Sequence, residues 1–417
     1  MAGALRLRWS GRPLACRLRP PPSKSHALRI LMLRFARGEE AGAERLAGDV
    51  ADDVVALERA IEAIDSGEPD IALDAGLGGV PLRFMLALAA LTPGLRCTVD
   101  ATEPLRRRPH EPLLAALREG LGGHGLVISA ERWPLVVDST RLVLPRQLRF
   151  ALEPTSSQFL SALVLASASA VGAGRCRVAD IELLGEPASP AYAELTACLI
   201  REAGFALEVS KERWRVIGFS GRPWRPEIPT DWSAAAYLAV WAWRCGGSVE
   251  VGDPAGHPDG IVLDILSAAG LQVEIDSESS LRVGGVLERG LRASGRDCPD
   301  LIPTLGALAL VAPGESRFES VGVLHDKESD RLDFLIDLAS AAGGEAVLSG
   351  DRLIVCPAEE RRDCIAIETE RDHRRAMAGS LLLALGWPEV VVDDPDCVSK
   401  SFPGYWRELE RCGVRLG

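Results

Sequence analysis

Asp326-Lys327-Glu328-Ser329-Asp330-Arg331 packs five charged residues into six positions just ahead of an amphipathic run. Capping of a helix by Ser329 or Asp330 explains part of it. Lys327 beside Glu328 is not explained that way; it is a pairing suited to exchanging a proton near an anionic group. Asp300 follows Pro299 at the head of a deeply apolar stretch. A carboxylate there is costly unless partnered, which makes it a candidate base with a raised pKa. Only four of the 47 basic residues are lysines, and three of them, Lys24, Lys327 and Lys400, sit in polar clusters beside apolar runs. Where arginine supplies generic positive charge, a retained lysine points to a compact charge or a titratable amine. Lys211, in an exposed hairpin-turn sequence, is the exception.

Arginines stand at matching places. Arg29 and Arg83 lie on or near apolar helices, Arg108 precedes Pro109, Arg374 opens another helix, and Lys400 precedes Ser401-Phe402-Pro403. Such groups beside helix starts suit bidentate clamping of carboxylate and phosphate. Gly76-Leu77-Gly78-Gly79 lacks the third glycine and downstream acid of a dinucleotide fingerprint.

These residues need elements to position them, and a repeat supplies them. Six Ala/Leu-rich segments, each opened by a polar or glycine cluster, are anchored at positions 24, 80, 156, 231, 300 and 372, at intervals of 56, 76, 75, 69 and 72 residues. Each is followed by a more amphipathic helix, a glycine and a short alternating strand, as in Tyr192 to Ala203 before Gly204-Phe205-Ala206-Leu207. A helix apolar all round is buried, and one with a single apolar face covers a sheet. The pattern reads as six βαβαββ-like units of an α/β protein. Buried helices with polar starts also converge unpaired N–H groups into an anion site without large net charge. For Ser23, Ser156 and Asp231 the alternative role is an ordinary N-cap.

The net charge of −12 argues against a nucleic-acid surface. No apolar run reaches the length of a membrane span. Ten cysteines show no CxxC pair or Cys/His metal spacing, as expected of small buried residues in a reducing compartment. The first 38 residues are Arg-rich and acid-free, as in a transit peptide. Leu5 to Trp9 and Leu14 to Leu18 nevertheless alternate around Ser10-Gly11-Arg12-Pro13, so a hairpin belonging to the fold, in a cytoplasmic protein, is the expectation.

Taken together, Pro22-Ser23-Lys24-Ser25 with Arg29, Gly79 to Arg83, Arg108-Pro109, Ser156-Ser157-Gln158-Phe159-Leu160, Ser189-Pro190-Ala191-Tyr192, Pro299-Asp300, Lys327 to Arg331, Asp372-His373-Arg374 and Lys400 to Pro403 resemble the 5-enolpyruvylshikimate-3-phosphate (EPSP) synthase family over essentially the whole chain. The resemblance implies a two-domain enolpyruvyl transferase fold, an inside-out α/β barrel of three βαβαββ units per domain. Residues 23–229 would form a shikimate-phosphate-binding domain, and 1–22 with 230–417 the second, with the active site in the cleft between them. It implies transfer of the enolpyruvyl group of phosphoenolpyruvate to the 5-hydroxyl of shikimate-3-phosphate, in the route to chorismate and the aromatic amino acids, by a monomer without metal or organic cofactor. Carried over residue by residue, Lys24, Ser25, Arg29, Ser156, Ser157, Gln158, Ser189, Tyr192, Asp300 and Lys327 would hold shikimate-3-phosphate. Lys24, Gly79, Arg108, Gln158, Arg331, Arg374 and Lys400 would hold phosphoenolpyruvate. Asp300 would take the hydroxyl proton and Glu328, assisted by Lys327, would protonate the methylene carbon, with His373 and Lys24 completing the catalytic set.

The chain departs from the pattern where the family usually reads Asn-Ala-Gly-Thr: it has Leu77-Gly78-Gly79-Val80. Leu28 replaces the usual Asn before the first Arg, and Val323 a common polar contact. Altered phosphoenolpyruvate affinity and a reduced response to glyphosate are expected. Among rivals, UDP-N-acetylglucosamine enolpyruvyl transferases carry a Cys a few residues before the Arg-Pro pair, and Val99 to Arg107 contains none. RNA terminal-phosphate cyclases are disfavoured by the charge. A non-catalytic or specialised-pathway paralogue binding a shikimate-like metabolite would not need Asp300, Lys327, Glu328, His373 and Lys400.

Overall fold

The computed structural model describes residues 3–11, 14–39, 50–129 and 132–417. The chain divides into two compact units, one of Met1–Ser23, Asp49–Ala51 and Pro229–Gly417, the other of Lys24–Gly48 and Asp52–Ile228.

Five four-stranded sheets occur among the described residues, each a parallel pair followed by two antiparallel strands. In three of them a helical crossover joins the parallel strands and a hairpin pairs beside the second; in the other two, Leu5–Trp9 and Arg17–Leu18 from the N-terminal segment each take one place. In the sheet of Gln147–Leu152, Val178–Leu183, Arg213–Phe219 and Phe205–Val209, Leu148 aligns with Ala179 in the parallel pair and Trp214 with Ile181 and Val209 in the antiparallel ones. The alternating burial of Gln147–Leu152 shows why it is a strand: Leu148, Phe150 and Leu152 face the core and the residues between them are more open. Lys211 lies exposed in the hairpin between Phe205–Val209 and Arg213–Phe219, as its sequence setting suggests.

The crossovers are the apolar helices. Lys24–Ala36, Gly79–Ala90 and Ser157–Gly172 pack on one another in one unit, and Trp232–Cys245, Ile302–Ala309 and His373–Leu385 in the other. The last of these is buried at every position. Amphipathic helices such as Pro190–Glu202 and Arg331–Ala342 lie against them with one apolar face each. Because buried helices cannot be wetted at their ends, their first turns are where polar groups gather. None of the described helices is long and apolar enough to cross a membrane.

The expected N-terminal hairpin does not form. Leu5–Trp9 pairs antiparallel with both Glu389–Val392 and Val414–Leu416, while Arg17–Leu18 pairs parallel with Ser248–Glu250 in a different sheet. The alternation read correctly as strand, but each strand completes a sheet whose other three members come from residues 248–416. Cross-strand burial of Leu7 and Leu18, both fully buried, decides the pairing over the local turn. Arg12 and Pro13, the centre of the expected turn, lie outside the described residues.

Candidate active site

In the unit built on Lys24–Gly48 and Asp52–Ile228, Arg29 ties three helix starts together. From the Lys24–Ala36 helix its Nε donates to Thr196 Oγ1 at 2.8 Å, its Nη1 to the Ser25 carbonyl at 2.8 Å, and its Nη2 to Ser161 Oγ and the Tyr192 carbonyl at 3.3 and 3.4 Å. Ser161 and Thr196 bond each other at 2.7 Å. No carboxylate pairs with this buried guanidinium among the described residues. Burial lowers its pKa to about 10. A buried cation held only by neutral groups keeps charge that an anion could compensate. Around it stand Ser25 and Tyr192, and the first turn of Ser157–Gly172, where Ser156 caps the helix by accepting from the Gln158 N–H. Gln158 Oε1 is buried with no hydrogen-bond partner among the described residues. Ser189, buried, precedes Pro190 in the left-handed region at φ 52°, a conformation that costs a non-glycine residue about 1–2 kcal/mol.

A second basic group lies in the same unit. Lys24 Nζ is 2.9 Å from Asp53 Oδ2, both largely buried. The Asp53 carboxylate packs on Gly78, where an added Cβ would meet Oδ1 at 2.8 Å. The next residue, Gly79, lies under two arginines: a Cβ there would meet Arg108 Nη1 at 2.6 Å and Arg83 Nη1 at 2.7 Å. Arg83 Nη1 donates to the Gly79 carbonyl at 2.8 Å, and its guanidinium lies over the Phe159 ring, which ties this helix start to the Ser157–Gly172 helix. His110 completes the group. Burial, then the charges of Arg83 and Arg108, lower its pKa to about 3, so it is neutral.

The unit containing Pro229–Gly417 holds the acids. Arg331, fully buried at the start of its helix, donates from Nε to Asp372 Oδ2 at 2.8 Å, from Nη1 to Asp300 Oδ1 at 2.9 Å and from Nη2 to Glu328 Oε2 at 2.6 Å. Arg374 meets Asp300 twice, Nη2 to Oδ2 at 3.1 Å and Nη1 to the carbonyl at 2.8 Å. Lys400 Nζ is 2.9 Å from Glu328 Oε1. Asp300, Glu328, Arg331, Arg374 and Lys400 are therefore one connected network, drawn from the loop after Arg292–Ser294, the starts of two helices and the Pro395–Lys400 turn. His373 is buried beside them, its Nδ1 3.5 Å from Asp372 Oδ1.

The expectation of a raised pKa at Asp300 is overturned. Burial pushes it up, but Arg374, Arg331 and Lys327 together outweigh burial and hold the carboxyl well below the usual aspartate range. The raised group is its neighbour Asp259, lifted mainly by burial and further by the charge of Asp300. Asp259 accepts a short hydrogen bond from the Ser233 hydroxyl. The Asp231 carboxylate, which the sequence left between cap and functional group, caps the Trp232–Cys245 helix through the Ala234 N–H.

Several participants escaped the sequence reading. Asp53 occupies the apolar stripe of its helix with Leu57, Ala60, Ile61 and Ile64, all buried; an acid on such a stripe was the available signal. Asp372 was legible only as part of a cluster, yet it caps its helix through the Arg374 N–H and anchors Arg331. Arg375, which no motif singled out, donates to Ser329 Oγ at 2.7 Å, and Ser329 in turn donates to Asp372.

A family model described as EPSP synthase (3-phosphoshikimate 1-carboxyvinyltransferase) matches residues 39–409. The chain belongs to the EPSP synthase family. A 3-phosphoshikimate 1-carboxyvinyltransferase of Methanopyrus kandleri is 32% identical, over 95% of this chain and 95% of its own. The solved EPSP synthase of Acinetobacter baumannii superposes over 100% of both chains with a TM-score of 0.73 at 19% identity. The enolpyruvyl transferase NikO from Streptomyces tendae superposes over 100% of this chain and 99% of its own with a TM-score of 0.66 at 13% identity. The fold is therefore the two-domain enolpyruvyl transferase fold, with the sixfold repeat that the EPSP synthase family implies. Five sheets occur among the described residues; for the first repeat these residues show the helices Lys24–Ala36 and Asp52–Asp65.

Proposed function

We propose that this protein transfers the enolpyruvyl group of phosphoenolpyruvate to the 5-hydroxyl of shikimate-3-phosphate, releasing phosphate. Membership of the EPSP synthase family supports the reaction. The observation that carries the assignment of roles is the division of labour between the units: a buried, counterion-free Arg29 with hydroxyl and amide groups in one, and a carboxylate–arginine–lysine network in the other.

Arg29, Ser25 and Tyr192 hold the carboxylate of shikimate-3-phosphate, and Ser156, Ser157 and Ser189 its phosphate, aided by the first-turn N–H groups of the Ser157–Gly172 helix. Gln158 offers its buried oxygen to the acceptor's hydroxyls. Lys24, Gly79 and Arg108 meet the phosphate of phosphoenolpyruvate, with Arg331, Arg374 and Lys400 completing the clamp on its charges.

Asp300, held ionised by Arg374 and Arg331, is a weak base until those cations turn to the substrate's own anionic groups. Phosphoenolpyruvate then makes the base as it binds. Asp300 takes the proton of the 5-hydroxyl, whose oxygen bonds to C2 of phosphoenolpyruvate. Glu328 delivers a proton to the methylene carbon, drawing on Lys400 at 2.9 Å and on the charge of Lys327. The tetrahedral adduct then returns a methyl proton to the Glu328 carboxylate as its C2–O bond to phosphate breaks, which restores the C2–C3 double bond and releases phosphate. Each acid–base step is worth about 10² to 10⁴ in rate, and orientation with facing cations supplies the remainder. The protein acts as a cytoplasmic monomer, without metal in this reaction and without nucleic-acid or membrane partners.

The test is phosphate release from phosphoenolpyruvate by the purified protein, with shikimate-3-phosphate and UDP-N-acetylglucosamine as alternative acceptors. Turnover with the first alone is expected; silence with both sinks the reading in favour of a binding paralogue.

A further inference from the structure

Outside this site, three free cysteines distant in sequence meet in the unit containing Pro229–Gly417. Cys16 Sγ lies 3.5 Å from Cys245 Sγ and 3.7 Å from Cys412 Sγ, and the last two are 3.9 Å apart. Those separations exclude a disulfide, whose sulfurs are about 2.05 Å apart. They match the edges of a thiolate tripod: with metal–sulfur bonds of about 2.3 Å at tetrahedral angles, the sulfurs stand about 3.8 Å apart. An ion at that distance from all three sits just out of the sulfur plane, leaving one coordination position.

The surroundings favour a cation. Cys245 is the last residue of the Trp232–Cys245 helix and Cys412 follows the Tyr405–Arg411 helix. Both sulfurs therefore lie near helix C-termini, where carbonyl dipoles attract positive charge and disfavour an uncompensated thiolate. Gly247 packs on the group without a side chain: a Cβ there would stand 2.5 Å from the Cys16 carbonyl, 3.0 Å from Cys16 Sγ and 3.2 Å from Cys245 Sγ. Cys245 and Cys412 are buried and Cys16 is partly exposed, which provides an entry path. The Trp9 indole N–H donates to the Cys412 carbonyl at 2.8 Å, fixing that backbone and placing a fluorophore beside the group.

We propose that Cys16, Cys245 and Cys412 form a three-thiolate site for a d¹⁰ divalent cation of the zinc class, with water as the fourth ligand. Its role is structural. Cys16 directly precedes Arg17–Leu18, so the ion fastens the N-terminal segment, which completes two sheets, to the ends of two helices. Binding breaks three S–H bonds, forms three metal–sulfur bonds and releases three protons to water, with no change of oxidation state. Sequence spacing hides such a site, because positions 16, 245 and 412 share no motif.

The experiment is titration of the reduced, metal-stripped full chain with Co²⁺ and then Zn²⁺. Expected are one ion per chain, intense thiolate-to-cobalt absorption that Zn²⁺ abolishes, about three protons released per ion, a change in Trp emission and a higher Tm. Cys16→Ser and Cys412→Ser should each weaken binding by at least about 100-fold, while Cys198→Ser, at an exposed cysteine elsewhere, should not. Absence of the thiolate-to-cobalt band in the unsubstituted chain overturns the proposal, as does equal affinity in the Cys16→Ser protein.

Discussion

Arg331 Nε lies 2.8 Å from Asp372 Oδ2, and neither side chain exposes more than 1% of its surface. This pair sets the acid network, because the same guanidinium holds Asp300 and Glu328 with its other nitrogens. Neutralising Asp372 takes the anion from Arg331 Nε, while Asp300 and Glu328 still face its other nitrogens. Asp372→Asn is therefore expected to destabilise the fold by about 1–3 kcal/mol, the worth of a charge-assisted hydrogen bond, although the asparagine can still cap the helix. Urea unfolding checks this; a loss below 1 kcal/mol would show that Arg331 is satisfied without Asp372.

Asp300 is depressed in the folded chain, so folding favours its ionised form. The stability this contributes is fully present above the ordinary aspartate value of about 3.8 and drains as pH falls through the folded pKa below it. The same shift means that protonation of Asp300 in the free enzyme should not set the acid limb of kcat/KM above about pH 4. Asp300→Asn should lower kcat by about 10² to 10⁴ and leave the pH of that limb unchanged. A limb that moves or vanishes in the variant assigns it to Asp300 after all.

The repeat was legible because buried and half-buried helices have different periodicities, and six polar starts at near-equal spacing expose the units. The site was legible where charges stood at those starts, as at Lys24, Asp300 and Arg374, and in the charged cluster from Lys327 to Arg331. Hidden were the groups that hold them: Thr196 and Ser161 look like ordinary helix residues until Arg29 reaches them from over 130 positions away. The sign of the Asp300 shift was hidden for the same reason. Burial could be read from the apolar run after it, whereas Arg374, 74 residues on, could not be placed against it. The N-terminal strands were misassigned because a local turn signal cannot show that distant strands offer better-buried partners.

His110 carries a pH signature in the other unit. Its folded pKa of about 3 lies below the ordinary 6.5, so the unfolded chain binds the proton first as pH falls. The neutral form's stability is present above pH 6.5 and is lost progressively down to pH 3. By pH 4.5 the loss is about 2–3 kcal/mol. His110→Gln should flatten this part of the stability curve. Parallel curves for the two proteins between pH 7 and 4.5 would contradict the shift.

Arg29 keeps a buried charge without a counterion, at a cost to the empty protein. In Arg29→Met the Ser161–Thr196 bond and the Thr196 bond to the Tyr192 carbonyl remain. The variant is expected to keep or raise Tm while KM for shikimate-3-phosphate rises about 10- to 100-fold, the worth of one or two charge-assisted hydrogen bonds. KM for phosphoenolpyruvate at saturating acceptor should change much less. A large fall in Tm with unchanged affinity would make Arg29 structural.

Gly79 is the point where adding a single methyl group has a defined effect. A Cβ would displace the ends of Arg108 and Arg83, which are flexible, rather than backbone. Gly79→Ala should therefore fold normally, raise KM for phosphoenolpyruvate about tenfold and spare KM for shikimate-3-phosphate. The adjacent Val80, partly exposed, presents methyl groups where a hydroxyl is usual in the EPSP synthase family. Val80→Thr should lower KM for phosphoenolpyruvate and strengthen inhibition by glyphosate. Steady-state kinetics with both substrates varied separates the two effects. If Gly79→Ala leaves the phosphoenolpyruvate KM untouched, Arg83 and Arg108 do not hold that substrate; if Val80→Thr changes neither constant, the departure from the family pattern at 77–80 is silent.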